Sequence, residues 1–535
     1  MQDWNPFWTE EVTIENGGRH PLLLNRFHDH LEEYLIKGVV YATDRLRYIS
    51  YCCWSIGDIE NTINCKKYYE FEEAFRRREG ALAIGTYLLK PDTVMGNYSI
   101  YGSNAMRGVI EKITSTYETS FEVLPSNKLG AYGQNYKGTM QKWGLTFISK
   151  DGIPHLTALG KELYEIMNNS YDRNDYYTNY KGENKVPGVV LYKWALINQY
   201  DNIVDENHKV ERDFFKSVLF HLDIKEVHDG RRDSFTIYLE CIAELEASSC
   251  NFNENYVRNI LYYQRYFDIN GKLHDYLVSP FLENTRFIWM IYEIQVYFSW
   301  WVSEYLRTFL RLLSGSPNGL SMTEVLGSID KDMFNKIVSE YLEKSNYYFD
   351  MKFDNFINFV EESIDDTEWL FEDKLCYDSW ENSFSGFSEV SAGLLIILAL
   401  LNHKFCTIRE DSRYIEIRMK LSEDFWFKDI LEIMDDLRNK NVKDVIEVIL
   451  NQFVIRQHNN AMYGKKDLRR CWFTMSGDKY QYQADSNSRW RPAKHENICN
   501  FLYDMGLIKI KDDTYVLSLE GRELYKKLKD DYYEE

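Results

Sequence analysis

One short spelling occurs twice in this chain, far apart. Trp143-Gly144-Leu145 leads to Leu156-Thr157 and then Gly160-Lys161-Glu162-Leu163-Tyr164; Met505-Gly506-Leu507 leads to Leu517-Ser518 and then Gly521-Arg522-Glu523-Leu524-Tyr525. Each spelling predicts a helix, a β-hairpin and a second helix. In the first copy Leu129, Tyr132, Tyr136, Met140 and Trp143 form an apolar stripe with steps of three and four. In the second, Pro492 marks a helix start, and Ile498, Phe501, Leu502 and Met505 form the stripe. Gly144 and Gly506 sit where a left-handed residue ends a helix. Lys150-Asp151-Gly152 and Asp512-Asp513 fall between short apolar runs, as hairpin turns do. Thr157 and Ser518 are placed to cap closing helices over Ala158–Met167 and Leu519–Leu528, with Asp530 to Glu535 fraying.

The rest of the chain predicts helices around these modules. At 535 residues, with 16% aromatic residues and only nine prolines, it is long enough for several packed domains. The fold class expected is mainly α, multi-helical, with two helix–β-hairpin–helix modules. Helices are predicted over Arg26–Lys37, over Thr43–Glu60 with Thr43 or Asp44 as cap, and over Tyr69–Glu79. A glycine-bearing passage (Gly80, Gly85, Gly96, Gly102) follows, and a polar linker covers Asn168–Pro187. Amphipathic patterns then run through Lys193–Tyr200, Glu211–Leu222, Ser234–Ala247, Asn255–Tyr266, Phe287–Leu313, Met322–Ile329, Met333–Leu342 and Glu389–Leu401. These predict an N-terminal domain over 1–185, a helical middle over 186–450 and a C-terminal segment over 451–535.

Nine scattered cysteines, an odd count without any CxxC pair, predict reduced thiols, neither a disulfide frame nor a zinc site. Charges interrupt Phe287–Leu313, and the uncharged run from Ile294 to Ser303 is half of what a bilayer requires, so both it and the Gly393–Leu401 run predict core helices. Met1 to Glu11 has neither a basic start nor an apolar run, so no signal peptide is expected. A cytoplasmic protein without a membrane partner, metal or cofactor is the expectation.

The net charge of −20 repels nucleic acid on average, so any nucleic-acid contact needs a local basic face. The two modules resemble the recognition-helix, wing and dimer-helix stretch of bacterial winged-helix regulators, in which the helix before Gly-Leu enters the major groove. That resemblance implies outward residues Gln134, Asn135, Lys137 and Lys142 in the first copy, and Lys494, Asn497 and Asn500 in the second. The wing tips depart from it: Asp151 and Asp512-Asp513 repel phosphate, which favours wings used for protein contacts. Residues 451–500 hold nine basic and four acidic side chains. There Lys465, Lys466, Arg469, Arg470, Trp472, Arg489, Trp490 and Arg491 interleave cations with rings, a composition suited to nucleic-acid contact. The alternative for this patch is docking to residues 351–390 of the same chain, with 11 acidic and two basic side chains.

No GxGxxG, GK[ST], HExxH or GxSxG motif is present. Arg489 and His495 fit the R-x5-H spacing of HEPN ribonucleases, although His495 also belongs to the helix the second copy requires. His28-Asp29-His30 lies in a predicted helix, where alternate residues diverge too far to share a metal. Arg76-Arg77-Arg78 beside Glu70, Glu72, Glu73 and Glu79 reads as a solvated, salt-bridged face.

Thr43-Asp44-Arg45-Leu46-Arg47-Tyr48-Ile49-Ser50-Tyr51-Cys52-Cys53-Trp54 and Leu129-Gly130-Ala131-Tyr132-Gly133-Gln134-Asn135-Tyr136 resemble a signature of uncharacterised bacterial proteins associated with phage defence. In those proteins an Arg-x-Arg-Tyr helix precedes the winged-helix spelling. The resemblance covers about the first 170 residues and implies a defence or DNA-modification setting. The expectation is a non-catalytic subunit that binds DNA or RNA, or an adaptor, within a complex of protein subunits. A nuclease effector (HEPN-like or carboxylate-based) and a pure protein–protein scaffold are the alternatives.

Overall fold

Helices dominate, as the apolar periodicities predict, and every sheet is small. The computed structural model describes residues 22, 24–40, 45–63, 65–89, 115–120, 128–222, 230–248, 250, 252, 254–268, 270–365, 372, 386–420, 433–462, 471–485, 494–512 and 514–534. They divide into two compact units, each discontinuous in sequence: Met1–Leu31 with Ile288–Ala493, and Glu32–Phe287 with Lys494–Glu535. The divisions fall there rather than near 185 and 450, so both copies of the repeat belong to one unit.

In chain order the helices are α1 Asn25–Leu35, α2 Leu46–Thr62, α3 Tyr68–Leu89, α4 Lys137–Lys142, α5 Ala158–Tyr171, α6 Gly188–Ile197, α7 Lys209–Phe220, α8 Arg231–Ala247, α9 Glu254–Tyr263 and α10 Glu283–Ser314. Then come α11 Met322–Gly327, α12 Lys331–Leu342, α13 Phe353–Asp365, α14 Phe387–Ile408, α15 Ser412–Lys420, α16 Val442–Ile449, α17 Arg456–Met462, α18 His495–Asp504 and α19 Leu519–Glu534. The strands are β1 Thr116–Glu118, β2 Thr146–Ile148, β3 Pro154–Leu156, β4 Lys185–Pro187, β5 Arg265–Phe267, β6 Leu273–Asp275, β7 Leu320–Ser321, β8 Phe473–Ser476, β9 Lys479–Tyr482, β10 Ile508–Lys511 and β11 Thr514–Leu517. All pairs are antiparallel: β1 with β4, β2 with β3, β5 with β6, β10 with β11, and β7–β9–β8 as a three-stranded sheet.

The repeat-bearing unit is built around α2, which is buried from Leu46 to Ile59. Trp54, Tyr51, Tyr171, Tyr176 and Trp194 pack ring against ring beside it. Burying one large apolar side chain contributes about 1.5–3 kcal/mol, so this cluster holds α2, α5 and α6 together. Helix α3 lies along α6, and Gly85 permits their closeness: a Cβ there would collide with the Leu191 carbonyl.

Several local expectations are corrected. Helix α3 continues through Gly80 and Gly85 to Leu89, because both glycines are buried where side chains would not fit easily or at all; Gly96 and Gly102 lie outside the described residues. The supposed linker is structured. Helix α5 runs to Tyr171, a π-type turn spans Tyr176–Tyr180, and β4 pairs with β1. Its Tyr171 and Tyr176 are core residues, while Tyr177 and Tyr180 are partly exposed. Thr43 and Asp44 lie outside the described residues, and the first N–H of α2 is capped by the Asp504 carboxylate. Helix α19 continues to Glu534 instead of fraying at Asp530. Of the three consecutive arginines, Arg76 and Arg77 pair with Glu72 and Glu73 near the surface, whereas Arg78 is buried against Asp58.

In the other unit α10 and α14 supply the core. Trp301 of α10 fills the space above Gly393 of α14, and Tyr305 stacks on Phe387. Helix α14 is long and apolar enough to cross a membrane by length and composition, yet 78% of its most apolar window is buried inside the protein, as in a core helix. His28 of α1 meets Tyr292 of α10, with Nε2 and the phenol oxygen 2.9 Å apart. The described cysteines are free, and most are buried.

Candidate functional site

The two copies of the repeat fold alike down to single hydrogen bonds. Gly144 and Gly506 have φ of 72° and 71°. The Leu145 and Leu507 N–H groups donate to the Met140 and Leu502 carbonyls at 2.8 and 2.9 Å. The Thr157 and Ser518 hydroxyls donate to the Gly144 and Gly506 carbonyls, and accept from the Gly160 and Gly521 N–H at 3.1 and 3.0 Å. A Cβ on Gly160 would collide with the Leu145 carbonyl, and one on Gly521 with the Leu507 carbonyl. Glycine is therefore required in Gly-x-Glu-Leu-Tyr because the closing helix crosses the leucine backbone at contact distance. The hairpins pair in register from Thr146↔Leu156 and from Ile508↔Leu517.

The copies part company at the helix before the glycine. In the first, a π-type turn over Tyr132–Tyr136 runs into α4. Tyr132, Tyr136, Met140 and Trp143 point inward, while Gln134, Gln141 and Lys142 are exposed and Asn135 and Lys137 half-exposed. Nothing lies within 4 Å of a Cβ built on Gly138. The outer face is thus polar to basic. Lys142 pairs with Glu33, and Lys137 has no carboxylate partner among the described residues.

In the second copy the corresponding helix is enclosed. His495, Asn497, Ile498, Cys499, Phe501, Leu502 and Asp504 of α18 are all buried, Asn497 being 4% exposed. Lys494 pairs with Glu32 and donates to the Val39 carbonyl at 2.9 Å. Asn500 is half-buried. The His495 imidazole meets the Tyr238 hydroxyl. Of the outward set expected for this copy, Lys494 is engaged by internal contacts and Asn497 is buried, Asn500 alone staying half-exposed, and His495 is a core residue.

The hairpins are alike in placement. The β3 strand lies against α2, and β11 lies against α8, where Thr514 Oγ1 accepts from the Phe252 N–H at 2.5 Å. Their partner strands face outward. On β10, Lys509, Ile510, Lys511 and the turn residue Asp512 are exposed. On the first wing Phe147 is 49% exposed and stacks on His155, whose Nδ1 lies 2.7 Å from Glu60 Oε1. Lys150 and Asp151 are exposed at the tip.

The Arg-x-Arg-Tyr motif is wired into the interior. Arg45 Nε donates to the Asp504 carboxylate at 3.0 and 3.2 Å, and Nη2 to Asp201 at 3.0 Å. Burial pushes the Asp504 carboxyl up to about 6, with Arg45 opposing, so it is ionised at pH 7. Arg47 pairs with Glu211, both buried, and donates to the Ile197 carbonyl at 2.9 Å. Tyr48 donates to Glu79 Oε1 at 2.6 Å. That same oxygen accepts from the Ala131 and Tyr132 N–H at 2.9 and 3.3 Å, so Glu79 holds the start of the first copy's helix. Burial pushes the Glu79 carboxyl up to about 7 against these three donors. Glu79, expected on a solvated, salt-bridged face, is instead buried, and nothing in the local sequence singled out Glu211 or Asp504, because the partners of all three lie tens to hundreds of residues away.

Of the basic, aromatic patch, Lys465, Lys466, Arg469, Arg470, Arg489, Trp490 and Arg491 lie outside the described residues. Trp472 is half-buried, its N–H donating to His458 Nε2 at 3.3 Å, just ahead of a β8–β9 hairpin that the sequence reading missed. Tyr480 is buried against Phe309 and Phe473. Among the described residues no cluster of three or more His, Cys, Asp or Glu is placed to hold a metal. Comparison with protein-family models, with curated proteins and with solved structures gave no significant match.

Proposed function

We propose that this chain is a non-catalytic nucleic-acid-binding subunit, and that the first copy of the repeat carries the contact. The observation behind the reading is the outer face of the Tyr132–Lys142 segment. The segment itself offers Gln134, Lys137, Gln141 and Lys142 and no acidic residue, in a chain whose net charge is −20, with the Glu33 carboxylate at its edge paired to Lys142. Amides and ammonium groups contact phosphates and base edges, and Lys137 is the cation of this face that no carboxylate neutralises among the described residues. The second copy contributes scaffolding on this reading. Membership in a larger anti-phage or DNA-processing complex, in the cytoplasm and with protein partner subunits, rests on the resemblance carried by residues 43–54 and 129–136.

The test is fluorescence anisotropy of a labelled mixed-sequence DNA duplex with the full chain, titrated with salt. Binding at low salt that weakens steeply as salt rises is expected, with Lys137→Glu lowering affinity and flattening the salt slope by about one contact. Absence of affinity at low salt would instead favour an adaptor that binds protein alone.

A further inference from the structure

Beside the helix face lies a second surface that the proposed contact does not use. The first wing packs on the corner between α2 and α3. His155 of β3 reaches Glu60 near the end of α2, and the Tyr68 ring at the start of α3 lies against Gly152 in the wing turn. Around this junction Ile63, Lys66, Lys67, Tyr69, Phe147 and Lys150 are exposed, Tyr69 at 58% and Phe147 at 49%.

The corner is held in shape. The Glu70 carboxylate accepts from the Lys66 and Lys67 N–H at 2.9 and 3.3 Å, and the Lys66 bond first of all keeps its carboxyl below the usual range. The Lys67 ammonium sits 5.7 Å from the Tyr69 ring centroid. The Glu70 carboxylate also interacts with the Lys67 ammonium and the Tyr69 hydroxyl, whereas the Lys66 and Lys150 ammonium groups form no ion pair among the described residues. His155 supports the inner face of Phe147.

We infer that this wing–corner surface binds an unpaired nucleic-acid strand, with Tyr69 and Phe147 as stacking platforms and Lys66, Lys67 and Lys150 on the backbone. The inference rests on the nucleic-acid reading above and names its substrate class. Two protruding rings among cations suit splayed bases, because the bases of a duplex are stacked on one another and present no free face. An acidic protein segment would be drawn by the same lysines but has no planar groups for the rings.

The experiment measures anisotropy of the full chain with a labelled oligothymidylate, a labelled duplex of equal length, and polyglutamate as competitor. Tyr69→Ala and Phe147→Ala are each expected to weaken the single strand by at least about fivefold while leaving the duplex unchanged. Tyr69→Trp is expected to restore binding, which loss of a merely structural side chain would not predict. Unchanged circular-dichroism melts certify the fold. If both alanine variants keep wild-type affinity for the single strand while Lys137→Glu weakens the duplex, this inference fails and the proposed function stands. Polyglutamate competing as well as the single strand, with the same dependence on Tyr69 and Phe147, would overturn it in favour of an acidic protein partner. No binding of either nucleic acid at low salt would overturn both.

Discussion

Two residues before the glycine, the first copy has Lys142 and the second has Asp504. Their surroundings summarise how one backbone has been put to two uses. Lys142 is exposed and its partner Glu33 is equally exposed, whereas Asp504 is fully buried, holding Arg45 and capping α2. The apolar stripes match, with Tyr136, Met140 and Trp143 standing where Ile498, Leu502 and Met505 stand, and the hairpins and caps match too. Only the opposite face of the helix differs: Lys137 and Gly138 in the first copy, Cys499 and Asn500 in the second. A repeated spelling thus specifies the turn, the wing and the crossing of the closing helix. Whether the preceding helix meets solvent depends on what its other face is made of.

The largest expected effect is at that pair of positions. Asp504→Ala leaves the buried Arg45 guanidinium with the half-exposed Asp201 as its remaining carboxylate and the α2 N-terminus uncapped, at a cost of about 3 kcal/mol in urea unfolding. Lys142→Ala breaks an exposed pair and costs within about 1 kcal/mol. Equal losses at the two sites would erase the proposed division between scaffold and face.

Next comes the helix start. Because the folded-state pKa of Glu79 is raised to about 7 from its ordinary 4.5, the folded chain holds this proton more tightly than the unfolded chain. Its contribution is present below about pH 4.5 and is lost as pH rises through 7. Glu79→Gln keeps an acceptor for Tyr48 and Ala131 but cannot ionise. The variant should therefore gain stability relative to wild type as pH rises from 5 to 8, by up to about 3 kcal/mol. A stability difference that is flat with pH would show that Glu79 is ionised throughout.

Gly160→Ala and Gly521→Ala should each cost about 1–3 kcal/mol, since both collide with a leucine carbonyl that the closing helix cannot easily leave. A loss at only one would show that the copies are not held alike. Smallest is Lys137→Glu, expected to change stability by no more than about 0.5 kcal/mol. A large loss there would mean that the first copy's outer face is also engaged within the protein.

Local signals made much of this legible. Helical steps, Gly after an apolar stripe, and Thr or Ser before the next helix located both modules, because each depends on residues within a few positions. What stayed hidden depends on distant partners. Asn497 reads as outward on a helical wheel, but distant elements, α2, α8 and α9 among them, pack around α18 and leave it 4% exposed. Tyr171 and Tyr176 sit in a polar, asparagine-rich stretch that looks like a linker until Trp54 and Trp194 are brought beside them. The β8–β9 hairpin was obscured by the basic residues flanking it. Phe147 and Tyr69 lie on separate elements, and the packing of the first hairpin on the α2–α3 corner, through His155 on Glu60 and Tyr68 on Gly152, has no local signal in the sequence.

Hydrogen–deuterium exchange of the full chain with and without nucleic acid addresses the division between the copies most directly. The account predicts added protection over residues 132–152, with the amides of 495–505 unchanged. Protection confined to 495–505, or none in either helix at saturating nucleic acid, would contradict it.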